Sequence, residues 1–244
     1  MGLFRMQAIY VLAAIGLLPV APFLYLQGQY VRRKVGLLPD ARGEKFGQFG
    51  ADENFVKLLV IGESTVAGLG ARTHETALAG QFAKFLSRKI KKSVRWTVVG
   101  KNGVTARRTI EELVPQIPAE KFDYIVVGLG GNDVLKLSSP RQWRRAMTQL
   151  ISILREQNPQ AKIFITNVAA VNLSPALPQP IRGILWQLSK MHNANILEFV
   201  KNFEDVFYYP QPKEVPADFF SDGIHPSEAG YAIWAEEIIK TLMK

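Results

Sequence analysis

The chain has 244 residues, 48% of them hydrophobic and 21% charged: enough apolar surface to order one generous domain with an appendage, and too little length for two full domains. It contains no cysteine, which excludes a disulfide scaffold, a thiolate zinc site, a cysteine nucleophile and lipid attachment through cysteine. The net charge of +9 is uneven, with six basic and two acidic residues in positions 1–50, a mild excess that suits anionic lipid as well as nucleic acid.

Between Arg5 and Arg32 lies a run of 26 uncharged residues, most apolar over 6–26. About 20 apolar residues cross a hydrocarbon layer roughly 30 Å thick. Tyr10, Tyr25 and Tyr30 suit interfacial positions, and Pro19 and Pro22 predict a kink of the kind that membrane helices tolerate. A cleaved signal peptide would carry a shorter apolar run, and nothing of A-x-A type follows Leu26. Residues 1–30 therefore read as a single-pass signal anchor. Arg32, Arg33 and Lys34 on one side against Arg5 on the other lean, by the positive-inside rule, towards a cytoplasmic domain. Residues 31–54 contain Pro39, four glycines and no sustained period, and read as a juxtamembrane linker.

Over 55–244, short apolar runs alternate with segments of helical period. The runs at 56–61, 96–99, 124–127 and 163–168 are rich in Val and Ile, as strands buried on both faces are. One helix places Leu78, Phe82, Phe85 and Leu86 on a single face, and another does so with Trp143, Met147, Leu150, Ile151 and Leu154. A last helix starts near Ser227, a good N-cap, and presents Tyr231, Trp234, Ile238 and Leu242. Strands separated by helices predict an α/β fold with a parallel sheet covered on both sides. Ligands of such sheets sit beyond the carboxyl ends of the strands.

Small polar groups gather there. Gly62-Glu63-Ser64-Thr65 follows the first run, Gly100-Lys101-Asn102-Gly103 the second, and Gly128-Leu129-Gly130-Gly131-Asn132-Asp133 the third. Asp222-Gly223-Ile224-His225-Pro226-Ser227 precedes the last helix, where a loop reaches the same rim. A serine hydroxyl becomes a useful nucleophile once a neighbouring base removes its proton, and His225 is the candidate base for Ser64. Asp222, three residues earlier, can accept at Nδ1 so that Nε2 faces the serine. The backbone N–H groups of Ser64 and Gly103 and the Asn132 side-chain amide are candidate oxyanion donors.

On these four ordered blocks the chain resembles the SGNH hydrolases, also called the GDSL lipase/esterase family. Ser64, Gly103, Asn132 and His225 match the family's eponymous residues, and Asp222 matches its Asp-x-x-His. The resemblance covers about residues 55–244 and implies a three-layer α/β/α flavodoxin-like domain that hydrolyses esters or thioesters through an acyl-enzyme, with no metal or organic cofactor. One departure is Gly-Glu-Ser in place of the usual Gly-Asp-Ser; the family's aspartate is not among its catalytic residues, so Glu63 bears mainly on the shape of the first turn. Pro175-Ala176-Leu177-Pro178-Gln179-Pro180 is similar to a segment of membrane-anchored bacterial members, which implies an inner-membrane location.

Each residue also has an ordinary use. Ser64 alone would cap a helix, Asn132-Asp133 would form a turn, and Gly103 would serve one. His74 and His192 lack partners of the Asp222 kind and read as surface or packing residues. Residues 62–70 lack the Gly-Lys pair of a phosphate loop, and Asp133 stands where a dinucleotide fingerprint needs glycine. The basic clusters at 88–92, 107–108 and 144–145 read as solvated helix faces, so no nucleic-acid partner is expected. The substrate expected is a small ester or lipid-like molecule, with acyl preference set by residues 66–76, 134–142 and 170–182. The same triad also fits acyl transfer to a sugar or glycan hydroxyl, and a catalytically silent anchored binding domain is the reading from another class.

Overall fold

A computed structural model describes residues 2–36 and 38–243. Strands β1 (Phe46–Phe49), β2 (Phe55–Gly62), β3 (Ser93–Gly100), β4 (Tyr124–Gly128), β5 (Lys162–Ile165) and β6 (Val206–Tyr208) form one sheet in the order β1-β3-β2-β4-β5-β6. Every pairing is parallel except β1 with β3. The helices are α1 (Leu3–Leu17), α2 (Ala21–Val35), α3 (Leu78–Ile90), α4 (Ala106–Glu112), α5 (Gly131–Leu135), α6 (Pro140–Gln157), α7 (Ile181–Phe199) and α8 (Glu228–Leu242).

The period of two in the central strands builds the layers. Leu58 and Val60 of β2 join Val126 of β4 in a core with Phe82 and Leu86 of α3 and Tyr231 and Ile238 of α8. Their neighbours Leu59 and Ile61 face the other way, with Ile125 and Val127, onto Trp143, Met147 and Leu150 of α6 and Leu185 and Ile196 of α7. The sheet is thus buried on both faces, as its unbroken Val and Ile runs require. The predicted α6 face is wholly buried, and the helix starts where Ser139 and Gln142 form a reciprocal capping box ahead of Pro140.

The edges differ from the sequence reading. Residues 46–49, expected to lie in a strandless linker, form β1 and pair with 94–97 of β3; β6 is a second unanticipated strand. Both are too short for a periodic pattern, and β1 is half-exposed, so only the pairing partner makes them strands.

The N-terminal helical segment Leu3–Val35 is long and apolar enough to cross a membrane, with mean hydropathy 2.1 over an 18-residue stretch, a property it shares with signal sequences. A 3₁₀ turn at Leu18–Val20 marks the proline-rich middle. The segment touches the domain near its ends: Tyr10 Oη donates to the Leu137 carbonyl at 2.7 Å and Gln27 Nε2 to the Gln179 carbonyl at 2.6 Å, while Met6 and Val31 are buried. Phe4, Leu12, Ile15, Leu18, Phe23 and Leu26 remain exposed.

His74 and His192 are packing residues; both are buried, and their ring nitrogens lack hydrogen-bond partners among the described residues. His192 stacks on Trp143 with ring centroids 5.0 Å apart. Burial lowers its pKa to about 3 against a weaker opposing pull from the Ser138 backbone. The unfolded chain, with an ordinary histidine pKa of about 6.5, takes up this proton first as pH falls. The stability linked to neutral His192 is therefore complete above about pH 6.5 and declines by about 1.4 kcal/mol per pH unit below it, down to about pH 3. Urea unfolding of His192→Phe, which keeps a ring against Trp143, should lose this much of the slope between pH 6 and 4. A slope equal to wild type would mean that His192 is not held neutral.

Candidate active site

The carboxyl ends of β2, β3 and β4 converge because glycines let backbones meet. A Cβ on Gly62, whose φ is +154°, would stand 2.0 Å from the Gly128 carbonyl oxygen, so only glycine lets β2 close on β4 here. Glu63 N donates to that same carbonyl at 2.9 Å, and the N–H groups of Val66 and Ala67 fold back onto the Glu63 carbonyl, turning the chain sharply around Ser64. Gly103 needs glycine for a different reason: its φ of +78° is left-handed, while the space beside it is open.

The loop before α8 is an Asx turn. Asp222 Oδ1 accepts from Ile224 N at 2.8 Å and from His225 N at 2.7 Å, which leaves Oδ2 for the His225 ring at Nδ1, 2.8 Å away. The other ring nitrogen, Nε2, lies 3.2 Å from Ser64 Oγ across 161 residues of chain. Burial opposes the charge on Asp222, but the bonds from His225 and Ile224 outweigh it and hold the carboxyl below its usual range. Two further contacts fasten the start of α8, which follows this loop, to the segment after Ser64: Tyr231 Oη donates to the Leu69 carbonyl at 2.7 Å, and Glu228 accepts from Arg72 N, Nε and Nη2.

Ser64, Asp222 and His225 are therefore joined in one hydrogen-bonded chain. Gly103 follows β3 and Asn132 follows β4, the two strands that flank β2, on the same rim, and among the described residues neither Ser64 N nor Gly103 N donates to another backbone group. The Asn132 carboxamide is engaged in a way the sequence reading did not anticipate, since Nδ2 donates to Glu63 Oε2 at 2.6 Å. One of its two amide hydrogens is thus committed and the other remains. Glu63 also accepts from Gly131 N and Asn132 N, each at 2.7 Å. Burial, assisted by the nearby Asp133 charge, pushes its carboxyl up to about 7 against these bonds. Asp133 is likewise buried, and its Oδ2 accepts from Ala106 N at 2.8 Å, tying the loop that carries Gly103 to the one that carries Asn132. The only sequence signal for this pair was the glutamate in Gly-Glu-Ser.

An apolar cavity of about 180 Å³ opens beside the rim, bounded by Thr65 and Gly131 next to the site and by Leu135, Leu173, Leu177 and Ile224. Of the segments expected to set acyl preference, 170–182 contributes Ala170, Val171, Leu173, Ser174 and Leu177 to the lining, 134–142 contributes Leu135, and 66–76 does not border it; the far wall comes from 209–220, notably Tyr209 and Phe219. Among the described residues no group of three or more His, Asp or Glu side chains is placed to hold a metal ion.

The profile of the GDSL-like Lipase/Acylhydrolase family matches residues 60–233. The Thioesterase 1/protease 1/lysophospholipase L1 of Escherichia coli (strain K12) is 22% identical over 185 residues, covering 76% of this chain and 82% of that protein. Among solved structures, a mutant of Axe2, an acetyl-xylooligosaccharide esterase from Geobacillus, superposes with a TM-score of 0.59 at 16% identity over 76% of this chain and 93% of that one. A family two carbohydrate esterase from Clostridium thermocellum, in complex with cellohexaose, gives 0.55 at 17% identity over 77% of this chain; the match spans 64% of that enzyme, just under two thirds of its length. These structural likenesses concern the fold.

Proposed function

Since the chain belongs to the GDSL-like lipase/acylhydrolase family and is an ester-hydrolysing enzyme, we propose that it acts through Ser64 as nucleophile, His225 as general base and Asp222 as the partner of the imidazolium. As Ser64 Oγ bonds to the ester carbonyl carbon, His225 Nε2 takes the hydroxyl proton. The carbonyl oxygen becomes an oxyanion facing Ser64 N, Gly103 N and the free Asn132 amide hydrogen. Collapse breaks the bond to the alcohol or thiol, which leaves with the proton from His225. Water then attacks the acyl-enzyme by the same steps in reverse. The observation that carries this reading is the run of contacts from Ser64 Oγ to His225 at 3.2 Å and from His225 to Asp222 at 2.8 Å.

The apolar cavity supports an acyl group with a hydrocarbon chain over acetyl, nearer to what the name of the Escherichia coli relative describes than to the acetyl-xylooligosaccharide esterase. Residues 1–30 serve as a membrane anchor, and 55–244 carry the reaction. The test uses residues 31–244, which keep β1, on p-nitrophenyl esters of increasing chain length. The truncated protein should be soluble, folded and active, with kcat/KM rising from acetyl to medium chains by roughly tenfold for about every two methylenes buried, at about 0.8 kcal/mol per methylene. Full-length protein should need detergent for extraction. A preference for acetyl would remove the acyl-chain reading, and an aggregated truncated domain would remove the anchor reading.

A further inference from the structure

Glu63 accepts three hydrogen bonds, all from donors: Gly131 N at Oε1, and Asn132 N with Asn132 Nδ2 at Oε2. A carboxylate accepts at both oxygens, so the ionised side chain satisfies all three donors, whereas a protonated one must turn an O–H towards an N–H and lose a bond. Such charge-assisted bonds are the strong kind, and here they are buried. They fix the plane of the Asn132 carboxamide, which decides where its second amide hydrogen points. Gly131 leaves the carboxylate its room, because a Cβ there would approach Oε1 to 3.1 Å.

We propose that ionised Glu63 is a positioning residue for hydrolysis, holding the Asn132 carboxamide so that its free hydrogen meets the oxyanion. The inference rests on the oxyanion role of Asn132 in the reading above. It goes beyond the reading of Glu63 as a determinant of turn shape, since it requires a charge as well as a side chain of that size.

The proton balance follows from the surroundings. Asp133 of α5 faces Glu63 from one side; Asp222 and His225 lie across Ser64; Glu214 and Glu237 border the same cavity. Burial brings the Glu63 carboxyl to about 7, so the ionised form becomes the majority only above about neutral pH. Two groups, Glu63 and His225, then have to be free of protons for full activity. The acid side of the wild-type profile of kcat/KM should fall more steeply than one ionisation allows.

The experiment is a double-mutant cycle on the full chain in detergent, with pH profiles and thermal unfolding of every variant. Asn132→Ala should lower kcat by about 10²–10³. Glu63→Gln, close in size but able to accept at only one atom, should lower kcat by about 10–100-fold. Its KM should stay within about twofold and its acid limb should reduce to a single ionisation. In the Asn132→Ala background the same change should cost no more than about a further twofold, because the group through which it acts is gone. The proposal is overturned if Glu63→Gln keeps wild-type kcat, or loses as much in the Asn132→Ala background as alone. Unchanged kcat in Asn132→Ala would instead remove the oxyanion reading, and this inference with it.

Discussion

Ser64→Ala lowers turnover by a factor on the order of 10⁴–10⁶ and ends labelling by a fluorophosphonate probe, while the thermal unfolding midpoint stays within a few degrees of wild type. The large effect follows from chemistry, since without the hydroxyl no covalent acyl-enzyme forms and only the oxyanion donors and substrate binding remain. The small effect on the fold follows from packing. The side chain makes one hydrogen bond, to His225 Nε2, and alanine keeps the Cβ on which the turn after β2 is built. The check is kcat on a short-chain ester, gel fluorescence after probe treatment and a melting curve on the same preparation. A labelled, active Ser64→Ala protein would end the proposal that Ser64 is the nucleophile.

Asp222→Asn should cost about 10⁴ in kcat through a different route. Asparagine keeps the oxygen that accepts from Ile224 N and His225 N, so the Asx turn survives and the loop keeps its shape. What changes is the atom facing the ring: an NH₂ group in place of Oδ2 forces Nδ1 to accept. The ring hydrogen then sits on Nε2, directed at Ser64 Oγ, and the imidazole can no longer take the serine proton. A lowered kcat with an unchanged unfolding midpoint is the expected pair of results. Wild-type turnover in Asp222→Asn would remove it from the site.

Asp222 and His225 could be paired from sequence because three residues across a turn are within reach of each other. Glu63 and Asn132 could not, since their 69-residue separation says nothing about which N–H groups a buried carboxylate will meet. The cavity shows the same contrast. Residues 170–177 follow β5 directly and were expected at the site, whereas 209–220 reach it only because β6 pairs beside β5 and carries the following segment up to the rim.

Hydrophobic period and turn chemistry carried the α/β class, the four inner strands, the face of α6 and the cap of α8, because each depends on residues close along the chain and on burial that repeats every two or 3.6 positions. The strands β1 and β6, the burial of His192 against Trp143 and the three bonds to Glu63 were decided only by the tertiary structure. An edge strand takes its hydrogen bonds from a partner distant in sequence, and a buried polar group takes its protonation from whatever surrounds it. Neither is a property of the local run of residues, so both appear only when the sheet has closed and the loops at its carboxyl edge have met.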